Sequence, residues 1–153
     1  MGRPHIEREV AHPPLWQHFS PGIKSRRGKV FLHLDEYEAI RLSDYLGYSH
    51  KKAALKMGIS RPTFTRLIGS AHKKIGEAIA LGKEIFIYGG NVHFRKDILQ
   101  CRSCGKNIPL EPGTPFPREC PECGEGKLYS LGIRFQGRRR RRRKGGFNAE
   151  NER

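Results

Sequence analysis

Four cysteines stand in two pairs, Cys101-Arg-Ser-Cys104 and Cys120-Pro-Glu-Cys123, with fifteen residues between the pairs. A gap of two lets both thiolates of a pair reach one ion, and a second pair completes the tetrahedral four-sulfur set of a structural zinc ribbon. Gly105 and Gly124 follow the pairs directly and free the backbone to fold under the sulfurs and aim amides at them. Between the pairs, Pro109, Pro112, Gly113, Pro115 and Pro117 forbid a long helix, so a loop must cross from one knuckle to the other. Such a stretch builds no core of its own, and the metal supplies much of its folding energy. Four ligands also close the ion, leaving no position for a hydrolytic water. His5, His12, His18, His33, His50, His72 and His93 are scattered and form no ligand pair.

Zinc is the expected metal, and iron is the alternative. The C-x2-C-G and C-P-x-C-G knuckles resemble rubredoxin-type sites, in which four thiolates hold one redox-active iron. That reading makes the ribbon a redox or sensor module. No flavin motif or di-iron carboxylate-histidine helix accompanies it, which favours zinc.

The second group of residues that could do chemistry is cationic and hydroxylated, and it lies in SHKKAALKMGISRPTFTRLIGSA, from Ser49 to Ala71. Ala53, Ala54 and Met57 share a face before Gly58, and Phe64, Leu67, Ile68, Ala71 and Ile75 repeat at helical spacing after it. Two helices around a glycine corner follow, with Ile59 filling the gap and Ser60 capping a second helix whose first turn tolerates Pro62. Taking the apolar stripe as the inner face puts Pro62, Arg66, Gly69 and Lys73 opposite it, flanked by Thr65 and Ser70. Arg61, Thr63, Thr65, Arg66 and Lys73 are then placed to meet base edges and phosphates of a DNA major groove.

A supporting helix is expected over Asp35 to Leu46, with Asp35 at the N-cap, Glu38 at N3, and Gly47 ending it. Capping also explains those two carboxylates without a catalytic role. Val30 to Leu34 reads as a short extended entry. Ile85-Phe86-Ile87-Tyr88, Gly89-Gly90-Asn91 and Val92-His93-Phe94 read as a β-hairpin, or as a strand handed on to the next module. The predicted class is mainly α, a three-helix helix-turn-helix domain followed by a small β-rich zinc ribbon, with disordered basic termini. Its segments are a basic arm over 1–29, the helical domain over 30–88, the ribbon over 89–134 and an Arg-rich tail over 135–153.

Composition supports a polyanionic partner. The chain has 153 residues and a formal net charge of +15, and basic residues still outnumber acidic ones when the run Arg138 to Lys144 is set aside. In the arm, Gly2-Arg3-Pro4 matches the core of a minor-groove hook that would insert Arg3. Trp16 and Phe19 are expected to dock the arm on the helical domain. The arginine run adds phosphate contacts without sequence choice, to DNA or to RNA. No apolar run spans a membrane and no export signal is present, so a cytoplasmic, nucleoid-associated protein is expected. No nucleophile and base, nucleotide loop or open metal site points to an enzyme.

The runs LDEYEAIRLSDYLGYS from Leu34, KAALKMGISRPTFTRL from Lys52 and GKEIFIYGG from Gly82 resemble the domain of unknown function 134 family over about residues 2 to 95. These are predicted prokaryotic DNA-binding proteins, similar here to sigma-70 region 4. The resemblance implies a sequence-specific transcriptional regulator. This chain departs from the family at His50-Lys51-Lys52, where acidic or amide side chains are expected, which implies a phosphate contact from Lys51. A homodimer is one open arrangement for a lone motif of this size. The rival classes are an RNA- or ribosome-associated ribbon protein and the iron redox protein.

Overall fold

A computed structural model describes residues 7–22 and 27–133. Arg3 and its hook, and the arginine run Arg138 to Lys144, lie outside the described residues. The chain order is β1 (Arg8–Val10), β2 (His18–Phe19), β3 (Lys29–Leu32), α1 (Leu34–Ile40), a π-helical turn (Arg41–Tyr45), α2 (His50–Lys56), α3 (Arg61–Leu81), β4 (Glu84–Ile87), β5 (Val92–Phe94), β6 (Asp97–Cys101), β7 (Asn107–Leu110) and β8 (Leu128–Ser130). The expectation of a mainly α protein is therefore corrected, because the strands form three sheets, β1-β5, β2-β4-β3 and β7-β6-β8.

Much of the difference lies in the arm. Val10, Pro13 and Pro14 are fully buried, whereas Trp16 and Phe19 are 71% and 51% exposed. The arm thus docks through its small apolar residues and not through the two aromatics. β1 pairs in parallel with β5, from Arg8↔Val92 to Val10↔Phe94, and β2 pairs antiparallel with β4. β4 and β5 do not form the expected hairpin. Instead, β4 joins β3 in parallel and β5 is handed to the arm.

Two cores result. Ala39, Leu42, Ala53, Ala54, Met57, Phe64, Leu67 and Ile68 pack between α1, the π turn, α2 and α3. Val10, Leu32, Leu34, Ala71, Ile87, Val92, Phe94, Ile98 and Leu131 pack where the arm, the sheet and the root of the cysteine module meet. The apolar periodicity of α3 explains its place in both.

The helix ends follow local chemistry, with one displacement. Ser49 Oγ accepts the Lys52 amide and Ser60 Oγ accepts the Thr63 amide. Gly58 turns the corner at φ 65°, and Gly82 ends α3 at φ 62°, where the Lys83 amide donates to Ala78 O at 2.8 Å. α1, however, is capped two residues earlier than expected: the His33 amide donates to Glu36 Oε2 at 2.9 Å. Asp35 and Glu38 are free of that task because other partners engage them.

Those partners anchor α1. Asp35, Glu36 and Glu38 are 5%, 4% and 2% exposed, and burying carboxylates so deeply requires charge pairing. Asp35 pairs with Arg8 of the arm. Glu38 accepts Nε and Nη2 of Arg41 at 2.7 and 2.8 Å and the Ala11 amide at 3.2 Å. Glu36 accepts Lys74 Nζ at 2.6 Å and Ser70 Oγ at 2.7 Å, both from α3. Desolvation pushes the Glu36 carboxyl upward, yet Lys74, the His33 amide and Ser70 outweigh it and hold its pKa below the ordinary value. One short helix therefore binds the arm to one side and the long helix to the other.

Candidate metal centre and cationic helix surface

The cysteine knuckles repeat one backbone pattern. The Cys101 amide donates to Lys106 O and the Gly105 amide to Cys101 O; likewise the Cys120 amide donates to Glu125 O and the Gly124 amide to Cys120 O, all at 2.8–3.0 Å. Gly105 and Gly124 adopt φ of 75° and 73°, which a side chain would resist. The first knuckle grows from the end of β6, and the second precedes β8, which pairs with β6 from Leu99↔Ser130 to Cys101↔Leu128. Antiparallel pairing therefore brings together residues that the intervening loop separates.

The four sulfurs lie within 4.8 Å of one another. Cys101 Sγ is 3.6 Å from Cys123 Sγ, and Cys104 Sγ is 3.7 Å from Cys120 Sγ. Neither distance is a disulfide; a tetrahedral ion with sulfur at ~2.3 Å requires an edge of about 3.8 Å. The Cys104 amide first, then the Ser103 amide, pull the Cys101 thiol down to about 6. The Glu125 amide works to lower Cys123, but loss of water and the neighbouring thiols push it up to about 12. Cys101 is thus held low while loss of water and the neighbouring thiols push Cys104 and Cys123 up, so the crowded sulfurs oppose one another's ionisation. Divalent metal removes that conflict, so the donor set fits a thiolate-bound metal.

On the helical side, Arg61, Thr65, Arg66, Lys73 and Lys51 are exposed and Thr63 is half-buried. Phe64, Leu67, Ile68 and Ala71 are buried beneath them, and Pro62 and Gly69 are exposed. The two threonines have partners: Thr63 Oγ1 lies 2.8 Å from Ser60 Oγ, and Thr65 Oγ1 lies 3.0 Å from His50 Nδ1. Ser70, placed by helical spacing beside the outer face, turns its hydroxyl to Glu36. Arg61, Arg66 and Lys73 thus expose cations along the first two thirds of α3, and Lys51 adds one at the start of α2.

The corner behind that surface is held from a side not evident in local spacing. Met57 O accepts the Glu9 amide at 3.2 Å, and Lys56 O accepts Arg95, which also pairs with Glu9. Carbonyls at a helix C-terminus lack partners within the helix, so arm and β5 residues complete the end of α2. Arg95 follows β5 directly; no periodicity marks it.

No helix among the described residues is long and apolar enough to cross a membrane. The profile described as "Protein of unknown function DUF134" matches residues 1–95. A UPF0251 protein of Chloroherpeton thalassium is 44% identical over 149 residues, spanning 94% of this chain and 98% of its own. UPF0251 proteins of Moorella thermoacetica and Halothermothrix orenii are 38% and 39% identical, spanning 96% and 83% of this chain and 97% and 98% of theirs. No solved structure matches the chain. By the profile and by these near full-length relatives, the chain belongs to the DUF134 family, whose function is unknown.

Proposed function

We propose that the protein is a sequence-specific DNA-binding regulator and not an enzyme, with α2 and α3 as a helix-turn-helix and a structural zinc ion on Cys101, Cys104, Cys120 and Cys123. One observation carries the reading. Arg66 and Lys73 stand exposed on the face of α3 opposite its buried stripe, with Arg61 exposed in the first turn, while capping and the Gly58 corner fix the angle at which the helix is presented. Guanidinium near a helix N-terminus suits guanine edges and phosphates of the major groove, and Lys51 at the start of α2 suits the adjoining backbone. The zinc stabilises the module that supplies Ile98 and Leu131 to the shared core. The arginine run lengthens residence on any sequence and keeps the protein with the nucleoid.

The test separates the two kinds of contact. Arg66→Ala should reduce discrimination between a selected site and random duplex by about ten-fold, the scale of one base-edge contact. Deleting residues 138–144 should weaken binding to both duplexes alike and flatten the salt dependence by about five log units per log of salt. Equal effects of both changes on selected and random duplex would refute the division of labour.

A further inference from the structure

The two faces of the β2-β4-β3 sheet differ in kind. Val30, Leu32 and Ile87 are buried on the inner face. On the outer face, His18, Phe86 and Phe31 stand on one rung across all three strands. His18 stacks on Phe86 with centroids 4.2 Å apart and planes 16° from parallel, and Phe31 meets Tyr88 edge-on at 5.2 Å. Continuing the β2-β4 register by two rungs, and so back to the same face, brings Trp16 opposite Tyr88; on the rung between, the Ile87 amide donates to Gln17 O at 2.8 Å. Trp16, Phe31 and Tyr88 are 71%, 43% and 41% exposed. Within β2, β3 and β4, no aliphatic residue stands at an outer-face register position among the described residues.

Lys29 lies on the same face, its Nζ 5.0 Å from the centre of the Phe86 ring. Among the described residues of these strands the one carboxylate on this face, Glu84, is held by His18 Nε2 at 3.2 Å. A protein partner is matched by aliphatic and aromatic groups together, whereas rings alone, edged by a cation on a chain of net charge +15, match stacked bases on a polyanionic backbone. We propose that this face binds a single strand of DNA by stacking its bases on Trp16, Tyr88 and Phe31, with Lys29 beside the phosphates and the Phe86 ring, already faced by His18, supporting them from the central strand. The His18–Glu84 pair leaves those two side chains engaged with each other, so stacking rather than reading of a ribose hydroxyl selects the partner. The inner face of this sheet shares a core with Ala71 of α3, so the platform points away from that helix. It goes beyond duplex reading and uses different residues.

Trp16 is the sole tryptophan and reports on the face directly. An oligothymidylate of about ten nucleotides, titrated into the full chain, should quench Trp16 fluorescence. Phe31→Ala combined with Tyr88→Ala should weaken that binding by about ten-fold or more, while Arg66→Ala leaves it unchanged. Inorganic polyphosphate should bind without quenching, and an RNA oligomer of the same sequence should bind no tighter than the DNA. Far-UV circular dichroism checks that the double variant is folded; should it not be, the quench in the unaltered protein decides alone. Binding of the oligomer without a quench, equal quenching by polyphosphate, or a ten-fold preference for RNA would overturn the proposal. Loss of duplex binding in Arg66→Ala with the quench intact would leave it standing.

Discussion

The α2–α3 corner and the cysteine knuckles both hold a few residues of backbone at a sharp angle, and they do so by opposite means. At the corner, Ala53, Ala54, Met57 and Phe64 are at most 2% exposed and the angle is kept by close packing. At the knuckles, Cys101 and Cys120 are buried but Cys104, Gly105, Cys123 and Gly124 are exposed, and sulfur spacing, repeated amide bonds and an exposed Lys106–Glu122 pair define the shape. A packed corner tolerates loss of one polar group. A metal knuckle tolerates loss of none of its ligands, since binding energy and folding energy are the same quantity there.

Breaking each region in turn sharpens the contrast. Cys120→Ser should remove the metal and unfold the knuckles, a loss on the order of 10 kcal/mol of binding energy, while most helical circular dichroism persists because the helical core contains no ribbon residue. Metal stoichiometry with the far-UV signal checks both halves. Phe64→Ala should do the reverse, costing about 3–5 kcal/mol in the helical core with one metal still bound, as read by chemical denaturation and metal analysis.

A smaller change tests the buried charges. Glu36→Gln should destabilise the fold by ~1–3 kcal/mol at neutral pH, since it weakens a buried charged hydrogen bond to Lys74. The folded pKa of Glu36 is lowered, so its contribution is complete above its unfolded value of about 4.3 and is lost as pH falls through the folded one. Denaturation midpoints should therefore fall less steeply in acid for the Gln variant than for the unaltered protein. Smallest is Gly58→Ala: its added Cβ meets nothing within 4 Å, so only the left-handed backbone opposes it, at ~1–2 kcal/mol. A shift in melting temperature without altered metal content checks it.

The regions also differ in how far they can be read from sequence. The caps at Ser49 and Ser60, the turn at Gly58, the stop at Gly82 and both knuckles follow from residues within a few positions of one another, and each stands where spacing places it. The arm does not, because β1 and β2 are three and two residues long and carry no measurable alternation. Their partners, β5 and β4, lie far along the chain, so tertiary pairing alone creates them. The same cause moved the cap of α1: Asp35 has N-cap chemistry, but Arg8 claims its carboxylate. Trp16 and Phe19 look like core by size, yet the burial goes to Val10, Pro13 and Pro14. The sulfur set was legible as a metal site, whereas the ring face required a strand register that only folding reveals.

The claim that the exposed cations of α3 read DNA sequence is tested most directly by selecting bound fragments from a pool of random duplex with the full chain, at physiological salt. Enrichment of one short motif, abolished by Arg66→Ala, is the predicted result. A pool that remains random while still being retained would show that the protein binds phosphate without reading bases, and would contradict the account.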